Sequence, residues 1–144
     1  MMRFEASAEV MSRPEDVFAV LRDYQQDPRW RAGVMSMRSE PPGAAQVGTT
    51  TDEVIRFLGI TTRTPGQVTH VVEGKLLAWE ARGTRLIASG VRRVEPALDG
   101  ARVTLSTEIR LRGQWRVMEP LLALLYKRQL RDDLARLKTL IESR

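Results

Sequence analysis

The side chains best able to move a proton or to anchor a polar ligand group are Glu53, His70 and Arg92. His70 is the only histidine, so a metal site built on a pair of histidines is excluded within one chain. In an extended strand His70 shares a face with Thr62 and Thr64, and we expect that face to point inward. His70 then acts as a base or positions a ligand. The alternative is a histidine at the rim or on the surface.

Glu53 and Arg92 form a candidate ion pair. Glu53 shares one strand face with Ile55 and Phe57, and Arg92 shares a face with Val94 on a later strand. If both faces point inward, the two charges meet inside the fold, where an unpaired charge is costly. The pair would then anchor the polar group of a largely apolar ligand. The alternatives are that both side chains reach water, or that a shift of one residue reverses the faces.

Several kinds of chemistry lack the residues that they need. The chain has no cysteine, which excludes disulfides, thiolate metal sites and cysteine nucleophiles. No G-x-S-x-G turn, phosphate-binding glycine loop or dinucleotide fingerprint occurs. We therefore predict neither a metal nor a cofactor, and acyl transfer, phosphoryl transfer and nicotinamide chemistry have no support.

The elements that must position these side chains begin with a strand and a helix. From Arg3 to Met11 apolar and polar residues alternate, as in a half-buried strand. Ser12 and Glu15 match a capping box at the start of a helix. Pro28 ends this helical segment, because the residue before a proline avoids the α region. A second short helical turn carries Trp30.

Most of the chain that follows has the pattern of strands separated by turns. Pro65 and Gly66 interrupt the fourth strand, which we therefore expect at a sheet edge or at a bulge. Asp99 and Gly100 are typical of a hairpin turn. The strands are predicted at Val34–Ser39, Thr49–Phe57, Thr61–Val72, Leu76–Ala81, Leu86–Val94 and Val103–Leu111.

A long C-terminal helix follows Gly113 and runs to about Glu142. Its apolar residues recur every three or four positions, and at 1.5 Å per residue it measures roughly 40 Å. After a sheet, such a helix is better placed across that sheet than in a coiled coil. The order of elements predicts an α+β fold. A curved antiparallel sheet of about seven strands wraps around the long helix, with two short helices after the first strand. We treat 1–144 as a single domain.

Six segments of the chain match the pattern of a known superfamily in their order and spacing. They are FEASAEV, RPEDVFAVLRDYQQDPRW, VGTTTDEVIRFLG, LLAWEARG, GVRRVEPALDGARVTLSTEIRLRG and MEPLLALLYKRQLRDDLARLKTLIE. From Phe4 to Glu142 the chain thus resembles the SRPBCC superfamily, also called START-like or helix-grip, and within it the small bacterial polyketide cyclase/dehydrase and lipid-transport proteins. The resemblance includes no catalytic signature, so it supports a fold more than a reaction.

The resemblance implies a cavity between the concave sheet face and the C-terminal helix, in which relatives bind lipids, quinones or polyketides. It therefore implies binding or transport of a hydrophobic small molecule. The alternative that it implies is a polyketide cyclase or dehydratase that uses the same cavity. A third interpretation is a module that binds anionic membrane or an acidic protein. The residues expected around the ligand are Trp30, Met35, Met37, Glu53, Ile55, Phe57, Thr62, Thr64, His70, Trp79, Arg92, Leu105, Thr107, Met118 and Leu122.

Charge and hydropathy set the remaining expectations. The net charge is +5, and the 20 arginines are dispersed without a cluster of five basic residues, so we expect no nucleic-acid partner. The N-terminal residues lack the apolar stretch of a signal peptide, and no run is long enough to span a bilayer. We expect a cytoplasmic protein. A monomer and a homodimer are both compatible with the pattern.

Overall fold

The computed structural model describes all residues, 1–144. The chain forms seven strands, two α-helices and two 3₁₀ helices. The strands are β1 (Met2–Val10), β2 (Val34–Glu40), β3 (Thr50–Phe57), β4 (Ile60–Val72), β5 (Leu76–Arg82), β6 (Leu86–Ala97) and β7 (Gly100–Leu111). The α-helices are α1 (Pro14–Arg22) and α2 (Glu119–Glu142), and the 3₁₀ helices span Tyr24–Arg29 and Gly113–Met118.

All seven strands belong to one antiparallel sheet in the order β1-β7-β6-β5-β4-β3-β2. From β2 to β7, strands that are consecutive in the chain are also neighbours in the sheet, which short connections allow. Leu58 and Gly59, which join β3 to β4, both have positive φ, as the tightest hairpin turns require. The sheet is open and curved, and a long helix crosses it, so the predicted α+β helix-grip fold is confirmed.

The core lies between the sheet and the two α-helices. α1 buries Val17 and Leu21, and α2 buries Leu134 and Leu137 while packing mainly along β1. The 24 residues of α2 make a rod of about 36 Å, and its buried residues recur at helical spacing. A carboxylate oxygen of Glu119 accepts the backbone N–H of the last β7 residue at 3.0 Å. This bond fixes the start of α2 to the end of the sheet.

The first helical segment differs from the prediction at both ends. Pro14 occupies the first turn of α1 and Arg13 is the N-cap, so Ser12 lies one position too early to cap the helix. No side chain caps α1, and the predicted capping box with Glu15 does not form. At the other end α1 stops before Pro28 is reached, and Pro28 lies inside the 3₁₀ helix that follows.

Of the two alternatives predicted from Pro65, a sheet edge or a bulge, the edge is wrong, and the bulge in this strand lies further along, between Val68 and His70. β4 lies between β3 and β5, with Pro65 opposite Asp52 and Gly66 opposite Ala81. Pro65 is exposed, and the strand beside it is closely packed. A Cβ on Gly66 would lie 2.8 Å from the carbonyl oxygen of Glu80, so glycine fits this position without displacing its neighbour.

Candidate ligand cavity

A cavity of about 150 Å³ lies between the concave face of the sheet, the second 3₁₀ helix and the first half of α2. Of the 29 residues that line it, 17 are hydrophobic, so most of the wall favours an apolar occupant. Trp79 contributes its side chain to the wall from the sheet, and Tyr126 contributes its side chain from α2. The ring centroids of Tyr126 and Phe4 are 4.8 Å apart. The cavity therefore has an aromatic and aliphatic wall supplied by both layers of the fold.

Eleven of the fifteen side chains predicted around the ligand line this cavity. They come from β2 to β7, the second 3₁₀ helix and α2, which the sheet topology brings together. They are Met37, Glu53, Ile55, Phe57, Thr62, Thr64, Trp79, Arg92, Thr107, Met118 and Leu122. Their contact with a ligand stays a prediction.

The other four predicted residues lie elsewhere. Trp30 and Leu105 are buried in the hydrophobic core, at 1% and 6% exposure, and do not reach the cavity. Met35 is 58% exposed, and His70 is also exposed, where its Nδ1 lies 3.0 Å from the hydroxyl of Thr69. The predictions that Met35 and His70 face the ligand are therefore wrong, and the chain's only histidine takes no part in this site.

Two β-bulges explain both errors. The register between β2 and β3 shifts between Val34 and Ser36, and that between β4 and β5 shifts between Val68 and His70. Each bulge adds one residue to its strand and resets the alternation of faces. Met37 and Val68 are buried, and in a regular strand Met35 would share the face of Met37 and His70 would share the face of Val68, but the bulges leave Met35 and His70 outside.

Arg92 lies at the polar end of the cavity, and its partner is Asp27. One Nη donates to Asp27 Oδ1 at 3.1 Å and to the carbonyl oxygen of Leu21 at 2.8 Å, and the other Nη donates to Asp27 Oδ2. The guanidinium lies 4.0 Å from the ring centroid of Tyr24 and 5.2 Å from that of Trp30. Both charges are nearly inaccessible to water, so this pair is held by hydrogen bonds and by cation–π contacts.

Arg31 extends this pair into a small network. Its Nη1 donates to Asp27 Oδ2 at 3.0 Å and to Glu53 Oε2 at 2.8 Å. The predicted Glu53–Arg92 pair is therefore wrong in its partners, although both side chains do reach the cavity wall. Each charge is bonded to a residue from the segment between α1 and β2 instead. We call Asp27, Arg31, Glu53 and Arg92 the buried charge network.

The two arginines of the network stay protonated. Burial by itself would lower the pKa of Arg92, but Asp27 and Tyr24 together more than offset it, so the pKa is raised. The same balance holds for Arg31. Burial lowers its pKa, but Glu53 and Asp27 raise it, and the result lies well above the ordinary value. At the polar end of the cavity, each of the two arginines therefore faces a carboxylate group.

Sequence reasoning missed Asp27, Arg31 and Asp133. Asp133 lines the cavity, and its Oδ1 accepts the backbone N–H of Ala32 at 3.2 Å. Its position could have been predicted, because it lies seven residues after Tyr126 on the same helix face. Asp27 and Arg31 had no such signal, since they belong to an irregular segment in which no periodicity indicates which side chains are inside.

Asp133 supplies a pH-dependent prediction. Burial raises its pKa, and the Ala32 N–H and Arg31 only partly oppose that effect. When the pKa of an acid is higher in the folded state than in the unfolded state, the protein loses stability as the pH rises from the unfolded-state pKa, about 3.9, to the folded-state pKa. We expect the stability of Asp133→Asn relative to the parent protein to increase across that window and then stay constant. Urea unfolding of both proteins from about pH 3 to about pH 7 measures this difference. A difference that does not change with pH would contradict it.

A curved antiparallel sheet, a long C-terminal helix across it and an apolar cavity between them define the helix-grip class of proteins. The chain belongs to the family described as Polyketide cyclase / dehydrase and lipid transport, whose model matches residues 1–142. The SRPBCC relationship predicted from the sequence is thereby confirmed.

Solved structures of three other proteins share this fold. A protein from Thermus thermophilus superposes with a TM-score of 0.84 at 16% identity, covering 99% of this chain and 98% of its own. The Zhui aromatase/cyclase from Streptomyces sp. R1128 gives 0.80 at 12% identity, with 98% and 93% covered. A START superfamily protein from Mycobacterium smegmatis gives 0.79 at 12% identity, with 98% and 97% covered. At these identities the likeness establishes the fold alone.

No curated protein sequence matches this chain. Neither α-helix combines the length and the apolar composition that crossing a bilayer requires.

Proposed function

We propose that this protein binds, and in doing so carries, an uncharged apolar small molecule in the cavity between the sheet and α2. The observation that carries the proposal is the cavity itself, with its mainly hydrophobic wall and the buried charge network at one end. Membership of a family described by polyketide cyclisation and lipid transport supports it. A cyclase or dehydratase activity stays a prediction, because likeness of fold does not establish a reaction.

The size of the cavity limits what it encloses. An apolar cavity of about 150 Å³ is known to hold one benzene-sized ring, and this cavity has about that volume. Burying apolar ligand surface contributes about 25 cal/mol per Å², so one ring supplies enough driving force for weak to moderate affinity. The natural ligand therefore places one ring or an acyl segment of similar volume here.

A variant that fills the cavity tests the proposal. Ala88 lines the cavity from β6, and Ser89 follows it on the opposite face of the same strand. In Ala88→Phe the new ring occupies the ligand volume, so we expect the affinity for toluene to fall at least tenfold. The matched control Ser89→Phe adds the same ring outside the cavity and is expected to keep the parent affinity. Amide chemical-shift titration with toluene measures the affinity in all three proteins.

Folding of the filled variant is checked by circular dichroism and thermal unfolding. If Ala88→Phe does not fold, Ala81→Phe adds a ring from the neighbouring strand to the same wall. Undiminished affinity in a folded cavity-filling variant, or the absence of toluene binding in the parent protein, would overturn the proposal.

A further inference from the structure

Three buried hydroxyl groups around the cavity have no hydrogen-bond partner. They are Thr62 Oγ1, Thr64 Oγ1 and Tyr24 Oη, and all three residues line the cavity. Their residues are only 8%, 3% and 2% exposed, so bulk water does not satisfy them. Buried polar groups are nearly always paired, because an unpaired hydroxyl loses its bonds to water without replacement. Three such groups at one cavity indicate an occupant that can bond to them.

The two threonines lie beside the buried charge network. In the sheet Thr64 is opposite Glu53, and Thr62 is opposite Ile55. Two residues apart on one strand face, they are separated by about 7 Å along β4. The ring of Tyr24 covers the guanidinium of Arg92. Thr64 and Tyr24 are thus next to residues of the buried charge network, and Thr62 lies two residues further along β4.

The charge network itself has little to offer an anion. Arg92 is bonded to Asp27 and Arg31 is bonded to both Asp27 and Glu53, so each guanidinium already faces a carboxylate. A ligand carboxylate would lie close to the carboxylates of Asp27 and Glu53, and Asp133 is also nearby. It would have to displace Glu53 from Arg31 and leave a carboxylate buried without its partner. Burial also raises the pKa of Tyr24, so its hydroxyl stays protonated and able to donate.

We propose that the cavity selects an uncharged, ring-sized ligand that carries a hydroxyl or carbonyl oxygen, and that it discriminates against carboxylates of the same shape. This inference rests on the proposed function and narrows it to one ligand chemistry. The oxygen bonds to the hydroxyl of Thr62 or of Thr64, either of which can donate to it or accept from it, and because the two threonines lie about 7 Å apart one oxygen bonds to one of them. The apolar wall encloses the rest of the ring.

Three probes of matched shape test this selectivity: toluene, p-cresol and p-toluate. Near pH 7 p-cresol is uncharged and p-toluate is ionised. In the parent protein we expect p-cresol to bind about tenfold more tightly than toluene, because its hydroxyl meets partners that are otherwise unpaired. We expect p-toluate to bind at least tenfold more weakly than toluene. Amide chemical-shift titration gives the three dissociation constants.

The double variant Thr62→Val/Thr64→Val removes two hydroxyls and keeps the shape of both side chains. We expect the preference for p-cresol over toluene to fall to twofold or less, while toluene binds as tightly as before. The protein should be at least as stable as the parent, since two unpaired buried hydroxyls are gone. Thr61→Val is the matched control, because Thr61 lies on the exposed side of β4 and is expected to leave the preference unchanged.

The outcomes separate this inference from the proposed function. Toluene binding without a preference for p-cresol, a preference that survives in the double variant, or tighter binding of p-toluate would each overturn the selectivity while the proposed function stands. If the parent protein binds none of the three probes, the proposed function fails and this inference fails with it.

Discussion

Replacing Asp27 by alanine is expected to lower the free energy of unfolding by about 3–5 kcal/mol. Asp27 is fully buried and accepts hydrogen bonds from both Arg92 and Arg31. Without it Arg92 is left in the interior facing only a backbone carbonyl and two aromatic rings, and Arg31 keeps only Glu53. Urea unfolding followed by circular dichroism measures the loss, at constant pH and with the denaturant slope compared between proteins.

A surface ion pair supplies the matched control for this prediction. Asp52 accepts two hydrogen bonds from Arg63, at 2.7 and 2.6 Å, but the arginine is largely exposed. Asp52→Ala is expected to cost less than about 1 kcal/mol, because solvent screens such pairs. Similar losses of stability in the Asp27 and Asp52 variants would show that the buried charge network matters no more to the fold than a surface ion pair.

Replacing Gly90 by valine is expected to reduce toluene affinity at least tenfold and to lower stability by about 1–3 kcal/mol. Gly90 is paired with Trp79 across β5 and β6, and the indole lies over it. A Cβ at this position would be 2.5 Å from Trp79 Cζ2 and 2.8 Å from the carbonyl oxygen of Ser106. The backbone cannot yield easily, so the indole must move, and Trp79 forms part of the cavity wall.

The control for the glycine variant is Ser89→Val, which adds a branched side chain to the outer face of the same strand. It is expected to preserve both toluene affinity and stability. Chemical-shift titration and urea unfolding are carried out on both proteins. Parent-like toluene affinity in a folded Gly90→Val protein would show that the position of Trp79 does not shape the binding volume.

The fold could be predicted from the sequence because its main signals are local. β7 alternates strictly from Val103 to Leu111, and α2 carries its apolar residues every three or four positions, so each element indicates its own buried face. Short turns then leave few ways to order the strands. The two bulges were not predictable in this way, since an inserted residue leaves no mark in the alternation on either side of it. Met35 and His70 were misplaced for that reason.

The candidate site could be predicted only in part. Residues on regular strands could be placed, and residues on irregular backbone could not. Strand parity placed Glu53 and Arg92 at the cavity wall, because both lie on regular stretches of β3 and β6. Their true partners, Arg31 and Asp27, lie in the segment between α1 and β2, where neither strand nor helix periodicity applies. The sequence offered no reason to prefer another partner for Glu53 or Arg92 than each other. The actual pairing depends on how the segment between α1 and β2 packs against the sheet, which is a long-range property.

Ionic strength divides the ion pairs of this protein into two kinds. Dissolved ions screen exposed charges over about 8 Å under physiological conditions, so pairs such as Arg63–Asp52 weaken as electrolyte is added. The Asp27–Arg92 pair is enclosed by Tyr24 and Trp30, and ions in solution do not reach it. The polar end of the cavity therefore keeps the same arrangement of charges in dilute and in concentrated buffer, and so presents one electrostatic environment to its ligand in both.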